Sequence, residues 1–90
     1  MGEAMVKVKI MPESPDTNLK QIADETKTIV EHHKGRHFSF IEEPIAFGLK
    51  AVIGTFMIIE TFNQDPLLDK IRLIPHVNSA EIIDFRRAFG

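Results

Sequence analysis

The chain has 90 residues, 43% of them apolar and 27% charged, with a formal net charge of −2. This balance describes one globular domain that buries roughly 60% of its unfolded surface. It excludes a disordered segment and lacks the basic field of a non-specific nucleic-acid binder. Cysteine is absent, which removes disulfide scaffolds, thiolate nucleophiles and cysteine-ligated zinc together.

The first strand runs from Met5 to Met11. Val6, Val8 and Ile10 alternate with Lys7 and Lys9, so one face is buried and the lysines mark a solvated one. Pro12 has no amide hydrogen to donate and stops the ladder. Glu13 to Asp16 reads as a loop, and Asp16 or Thr17 is placed to cap the next helix. In that helix Leu19, Ile22, Ala23, Thr26, Ile29, Val30 and His33 form a stripe at spacings of three and four. His32, His33 and Lys34 fill its last turn, where the helix dipole favours positive charge, and Gly35 is the expected C-terminal stop.

A second strand is expected from His37 to about Glu42, followed by a loop and a long strand from Leu49 to Phe62. The long strand is almost continuously apolar, as a central strand covered on both faces would be. Gly54 inside it predicts a bulge or a close approach by another group. Asp65 is a good cap and Pro66 suits the first helical position. Leu67, Leu68, Ile71 and Ile74 give the second helix its inner face, and Pro75 bounds it. The last strand runs from Val77 or Ser79 to about Arg87, with Ile83 and Phe85 expected on one face.

The element order βαββαβ, spread over a single domain at residues 1–90, predicts an α+β ferredoxin-like sandwich. Its antiparallel four-stranded sheet has strand order 4-1-3-2, with two helices on one face and the other face open to a partner. No apolar stretch approaches the ~18 residues of a membrane span, and the amino terminus lacks a signal-peptide pattern. A cytoplasmic protein without membrane contact is expected.

Catalytic chemistry finds little support. His32, His33, His37 and His76 lack metal-ligand spacing and read as surface charges. Glu42 and Glu43 point to opposite faces of a strand, which opposes paired acid–base work. No nucleophilic triad or phosphate-binding glycine loop is present. Sheets of this topology that bind RNA carry aromatic rings on the two central strands. Here the first strand has none and Phe56 suits the core, while Phe38 and Phe40 fall on an edge strand. RNA binding and small-ligand regulation are the alternative readings of the fold.

The loop from Glu42 to Lys50 is the unusual segment. Pro44 restrains its entry, Gly48 permits backbone angles that other residues avoid, and Phe47 stands between them where a solvated turn favours Asn, Asp or Ser. Such a loop either tucks its aromatic into the core or offers it to a partner.

Three runs carry a resemblance over nearly the whole chain, from about residue 5 to residue 87. They are Ile10-Met11-Pro12-Glu13-Ser14-Pro15-Asp16, Glu42-Glu43-Pro44-Ile45-Ala46-Phe47-Gly48-Leu49, and Asp84-Phe85-Arg86-Arg87. In order and spacing they resemble the archaeal translation elongation factor one-beta family. Eukaryotic relatives carry the same module after an amino-terminal domain and an acidic linker, which this chain is expected to lack. The resemblance implies guanine-nucleotide exchange on the GTPase elongation factor one-alpha, without covalent chemistry and without a cofactor of its own. GDP, GTP and Mg²⁺ belong to the partner, and the free protein is expected to be a monomer that does not bind nucleic acid directly.

By the same resemblance, Pro44, Phe47 and Gly48, with Ala46 between them, match a Pro-x-x-aromatic-Gly loop that contacts the GTPase. Lys50 matches a lysine that follows the loop in eukaryotic members. Those members also end in a lysine that reaches the partner's Mg²⁺ region. Alignment through Phe85 puts Arg87 at that position, with Arg86 beside it; arginine keeps the charge in a bulkier, planar form.

Overall fold

The centre of the molecule is a strand whose side chains alternate strictly between two environments. In a computed structural model that describes residues 2–59 and 65–88, β1 spans Glu3–Pro12. Its even residues Ala4, Val6, Val8 and Ile10 are 0% exposed, and its odd residues are half-buried. The chain continues as α1 (Leu19–His32), β2 (Arg36–Pro44), a short turn of 3-10 helix (Ala46–Gly48), β3 (Lys50–Ile59), α2 (Asp65–Arg72) and β4 (Val77–Ala88). All pairings are antiparallel and the sheet order is β2-β3-β1-β4, the expected ferredoxin-like arrangement.

β1 and β3 are the central pair. Register places Val6 opposite Phe56, Val8 opposite Gly54 and Ile10 opposite Val52, so the buried residues of both strands share one face. Ile22, Ala23 and Val30 of α1 and Leu67, Leu68 and Ile71 of α2 join them in one core. Burial of this kind contributes roughly 25 cal/mol per Å² of apolar surface and is the main stabilising term. Thr26 is the buried polar residue of α1, and its hydroxyl donates to the Ile22 carbonyl at 2.8 Å.

Gly54 marks a close approach rather than a bulge, since the β1–β3 register runs through it unbroken. The ring of Phe38 lies over it, with Cε2 3.0 Å from the point where a β-carbon would sit. Phe38 in turn stacks on Phe56, ring centroids 6.5 Å apart.

Several local details differ from the sequence expectation. The cap of α1 is Asn18, whose side-chain oxygen accepts the Gln21 N–H at 3.2 Å. Asp16 and Thr17 are excluded from that role because residues 14–17 close a turn of their own. In it the Thr17 N–H donates to the Ser14 carbonyl at 3.2 Å and the Ser14 N–H to Thr17 Oγ1 at 3.3 Å.

At the other end of α1 the left-handed residue is Lys34 (φ 64°), with the N–H of Gly35 returning to the Val30 carbonyl at 2.8 Å. Gly35 is required one position later for space: a β-carbon there would lie 2.4 Å from Val30 Cγ1.

β3 begins at Lys50, and the expected extension to Phe62 lies outside the described residues. So does the capping side chain of Asp65. Helix α2 stops at Arg72, leaving Ile74 buried in the turn that follows.

In β4, Ile83 and Phe85 do not share a face in the simple alternating sense. The β1–β4 register shifts between Lys7 and Val8: Lys7 pairs with Asp84 but Val8 with Ile82. Ile83 is the extra, unpaired residue, and the bulge puts Ile82 and Phe85 on the helix side together.

Candidate functional site

The β2–β3 hairpin is built from the base upward. Pro44 pairs with Lys50, the Ile45 N–H donates to the Leu49 carbonyl at 2.8 Å, and the Leu49 N–H donates to the Ala46 carbonyl at 3.2 Å. Only Ala46, Phe47 and Gly48 remain to turn the chain. The chain turns with positive φ at two successive residues, Phe47 (φ 61°, ψ 33°) and Gly48 (φ 75°). Glycine adopts this without penalty, whereas a bulky L-residue is strained by about 1–2 kcal/mol.

Phe47 gains nothing from packing in return, since it is 94% exposed. Of the two fates open to this aromatic, burial beneath the loop is therefore excluded. Backbone strain combined with a fully solvated ring is the combination found where a side chain is displayed rather than stored. Pro44, Ala46, Gly48 and Lys50 are exposed around it.

Arg86 and Arg87 lie at the opposite end of the sheet. They pair with Met5 and Ala4 at the start of β1, whereas Val52 near the hairpin pairs with Ile10 near its end. From Met5 to Ile10 is about 17 Å along the strand, and the hairpin projects beyond that. The sequence-predicted residues thus form two groups, one at each end of a molecule 42 Å long. Both arginines are exposed, and Arg86 Nε donates to Asp84 Oδ2 at 3.1 Å.

The arginine end also carries an ion pair between Arg36 and Glu3, in which Arg36 Nε donates to Glu3 Oε2 at 2.7 Å. That hydrogen bond, reinforced by the charge of the guanidinium, holds the Glu3 carboxyl below the usual carboxylate range and raises Arg36 above its own.

The sheet face away from the helices is divided by strand. On β1 and β4 charges stand in opposed register, Lys7 beside Asp84 and Lys9 beside Glu81. On β2 and β3 the same face carries Ile41 opposite Ile53 and Glu43 opposite Ala51. Ile41 is 65% exposed, the residue that sequence reading did not single out. Its position between the polar Ser39 and Glu43, each two residues away on the same face, was the available signal.

Among the described residues, β1 and β3 present no aromatic ring on this face: Phe56 is buried on the helix side. No three His, Asp or Glu side chains among them are grouped to hold a metal. His76 instead faces Glu13, Nδ1 to Oε1 at 3.4 Å. No described helix is long and apolar enough to cross a membrane.

Known proteins resemble this chain over nearly its whole length. The profile of the EF-1 guanine nucleotide exchange domain matches residues 5–88. An elongation factor 1-beta from Nanoarchaeum equitans is 39% identical over 82 residues, covering 90% of this chain and 100% of that protein. One from Methanosarcina barkeri is 35% identical over 88 residues, covering 97% of this chain and 99% of that protein. Among solved structures, LarC2, the C-terminal domain of a cyclometallase, superposes with a TM-score of 0.66 at 9% identity. It covers 99% of this chain, which spans 58% of that one, and the likeness shows a shared fold.

Proposed function

Because the chain belongs to the EF-1 guanine nucleotide exchange domain family, we propose that it promotes exchange of GDP for GTP on the GTPase elongation factor one-alpha. The observation that carries this reading is the hairpin: a strained Phe47, 94% exposed, on a hydrogen-bonded support, within a run that resembles the Pro-x-x-aromatic-Gly loop of the family.

No bond is made or broken in such a reaction. The factor binds the GTPase better when the nucleotide site is empty, and by linkage it weakens nucleotide binding by the same factor. Phe47, with Pro44, Ala46, Gly48 and Lys50 around it, anchors one end of the protein on the GTPase. Arg87 or Arg86, at the far end, brings positive charge toward the region where the P-loop holds Mg²⁺ between the phosphates. Loosening of that region releases GDP. The nucleotides and the Mg²⁺ are the partner's, and the factor acts as a cytoplasmic monomer with no cofactor of its own.

The test is release of a fluorescent GDP analogue from elongation factor one-alpha, with wild type beside Phe47→Ala. Acceleration by wild type that a folded Phe47→Ala protein matches only at a much higher concentration supports the reading. An unchanged release rate at saturating wild-type concentration refutes it.

A further inference from the structure

The hairpin's two sides differ in charge, and the difference says something about the surface it fits. Glu42 pairs with Val52, which faces the helices, and Glu43 pairs with Ala51, which faces away from them. Both carboxylates are exposed, and among the described residues neither has a cationic partner within 4.0 Å.

Their surroundings are unlike. Glu42 lines an open cleft to which Lys20 and Lys50 also contribute. Glu43 has Ala51 opposite it, with Ile41 two residues back on the same face. Ile41 is 65% exposed and Phe47, beyond Glu43 at the tip, is 94% exposed. One carboxylate without an ion pair therefore lies along the chain between two solvated apolar residues, on a hairpin whose backbone is held by its own hydrogen bonds.

We infer that Ile41, Glu43 and Phe47 form a preformed wedge for an apolar pocket of the partner GTPase that carries a lysine or arginine at its rim. The inference rests on the exchange reading and adds the chemistry of the surface that the hairpin meets. Phe47 and Ile41 supply the apolar contact. Glu43 supplies register, because an isolated carboxylate between them tolerates a cation and repels an anion. Preorganisation follows from the loop, whose conformation does not have to be selected on binding. Glu42 is the internal control, a carboxylate one residue away that faces the other side of the sheet, in a cleft to which two lysines contribute.

The experiment is nucleotide release measured over a range of factor concentrations, with wild type, Glu43→Gln, Glu43→Lys, Glu42→Lys and Ile41→Ser. Thermal melts establish that each variant is folded. Glu43→Lys is expected to raise the half-saturating concentration about tenfold while the maximal rate is retained, since a rim charge acts on association. Glu42→Lys is expected to shift it by less than about threefold, and Ile41→Ser to raise it several-fold. Between about 50 and 300 mM salt the wild-type value is expected to rise, and that of Glu43→Gln to rise less. If wild type accelerates release but the Glu43 variants match wild type, or the two lysine variants match each other, the wedge is overturned and the exchange reading stands. If wild type itself leaves release unchanged, both fall.

Discussion

The ring of Phe38 occupies the space above Gly54 that any other residue would fill, its Cε2 3.0 Å from the position of a β-carbon. The edge strand β2 is thereby locked onto β3 through packing as well as through the ladder, because Phe38 also stacks on the buried Phe56. Gly54→Ala is expected to destabilise the fold by roughly 1–3 kcal/mol, the usual range for overpacking. Adding Phe38→Leu to it is expected to recover part of the loss. Urea denaturation of the two single variants and the double checks this, and strict additivity would show that the two residues are not coupled.

Stability and function are expected to part company at Phe47. Its left-handed backbone is strained and its ring, at 94% exposure, contributes no packing. Asparagine tolerates the same angles with less strain. Phe47→Asn is therefore expected to raise the unfolding free energy by about 0.5–1 kcal/mol while weakening accelerated nucleotide release, through a half-saturating factor concentration at least about tenfold higher. A variant that loses stability instead would mean that the ring makes contacts in solution that stabilise the hairpin.

The distance between the two candidate groups predicts separable kinetics. Phe47 and Arg87 sit at opposite ends of the sheet, so neither truncation disturbs the other's surroundings. Phe47→Ala is expected to raise the half-saturating factor concentration at least tenfold, as the loss of a hot-spot anchor does. Arg87→Ala is expected to lower the maximal release rate with a smaller change in half-saturation. Identical effects of the two variants on both parameters would argue against a division of roles.

Glu3 and Arg36 give a pH dependence of definite sign. Arg36 depresses the Glu3 carboxyl, so the pair's contribution is present above the ordinary carboxylate range and disappears as the pH falls through the depressed pKa. Arg36 stays charged throughout this window. The difference in Tm between wild type and Arg36→Gln is thus expected at about pH 7, small because the pair is solvent-screened, and is expected to narrow as the pH falls below the ordinary carboxylate range and through the depressed pKa of Glu3. A gap that stays constant over that range would assign the effect of the substitution to packing of the arginine stem.

The amino-acid sequence by itself determined the scaffold. Val6, Val8 and Ile10 at period two, the stripe from Leu19 to Val30 at period three to four, and the apolar run through Val52 and Phe56 each specify an element and its inner face. Their order leaves the ferredoxin-like sheet with β3 beside β1, since a strand apolar on both sides belongs in the middle. The chain motifs that mark the family are likewise short-range and readable.

Register and exposure were decided only in three dimensions. The bulge at Ile83 depends on how β4 fits against β1, which no pattern within β4 records. Lys34 takes the left-handed angle because the chain turns there to return the Gly35 N–H to the Val30 carbonyl, and the lack of space beside Val30 reserves the next position for glycine. Whether Phe47 is sheltered or displayed depends on what else reaches the tip of the hairpin; among the described residues its ring stays 94% exposed, and a β-carbon on Gly48 would meet no atom within 4 Å. The separation of Phe47 from Arg86 and Arg87 has the same origin. Strand direction and register, set by pairing between distant parts of the chain, place the hairpin at one end of the sheet and the arginines at the other.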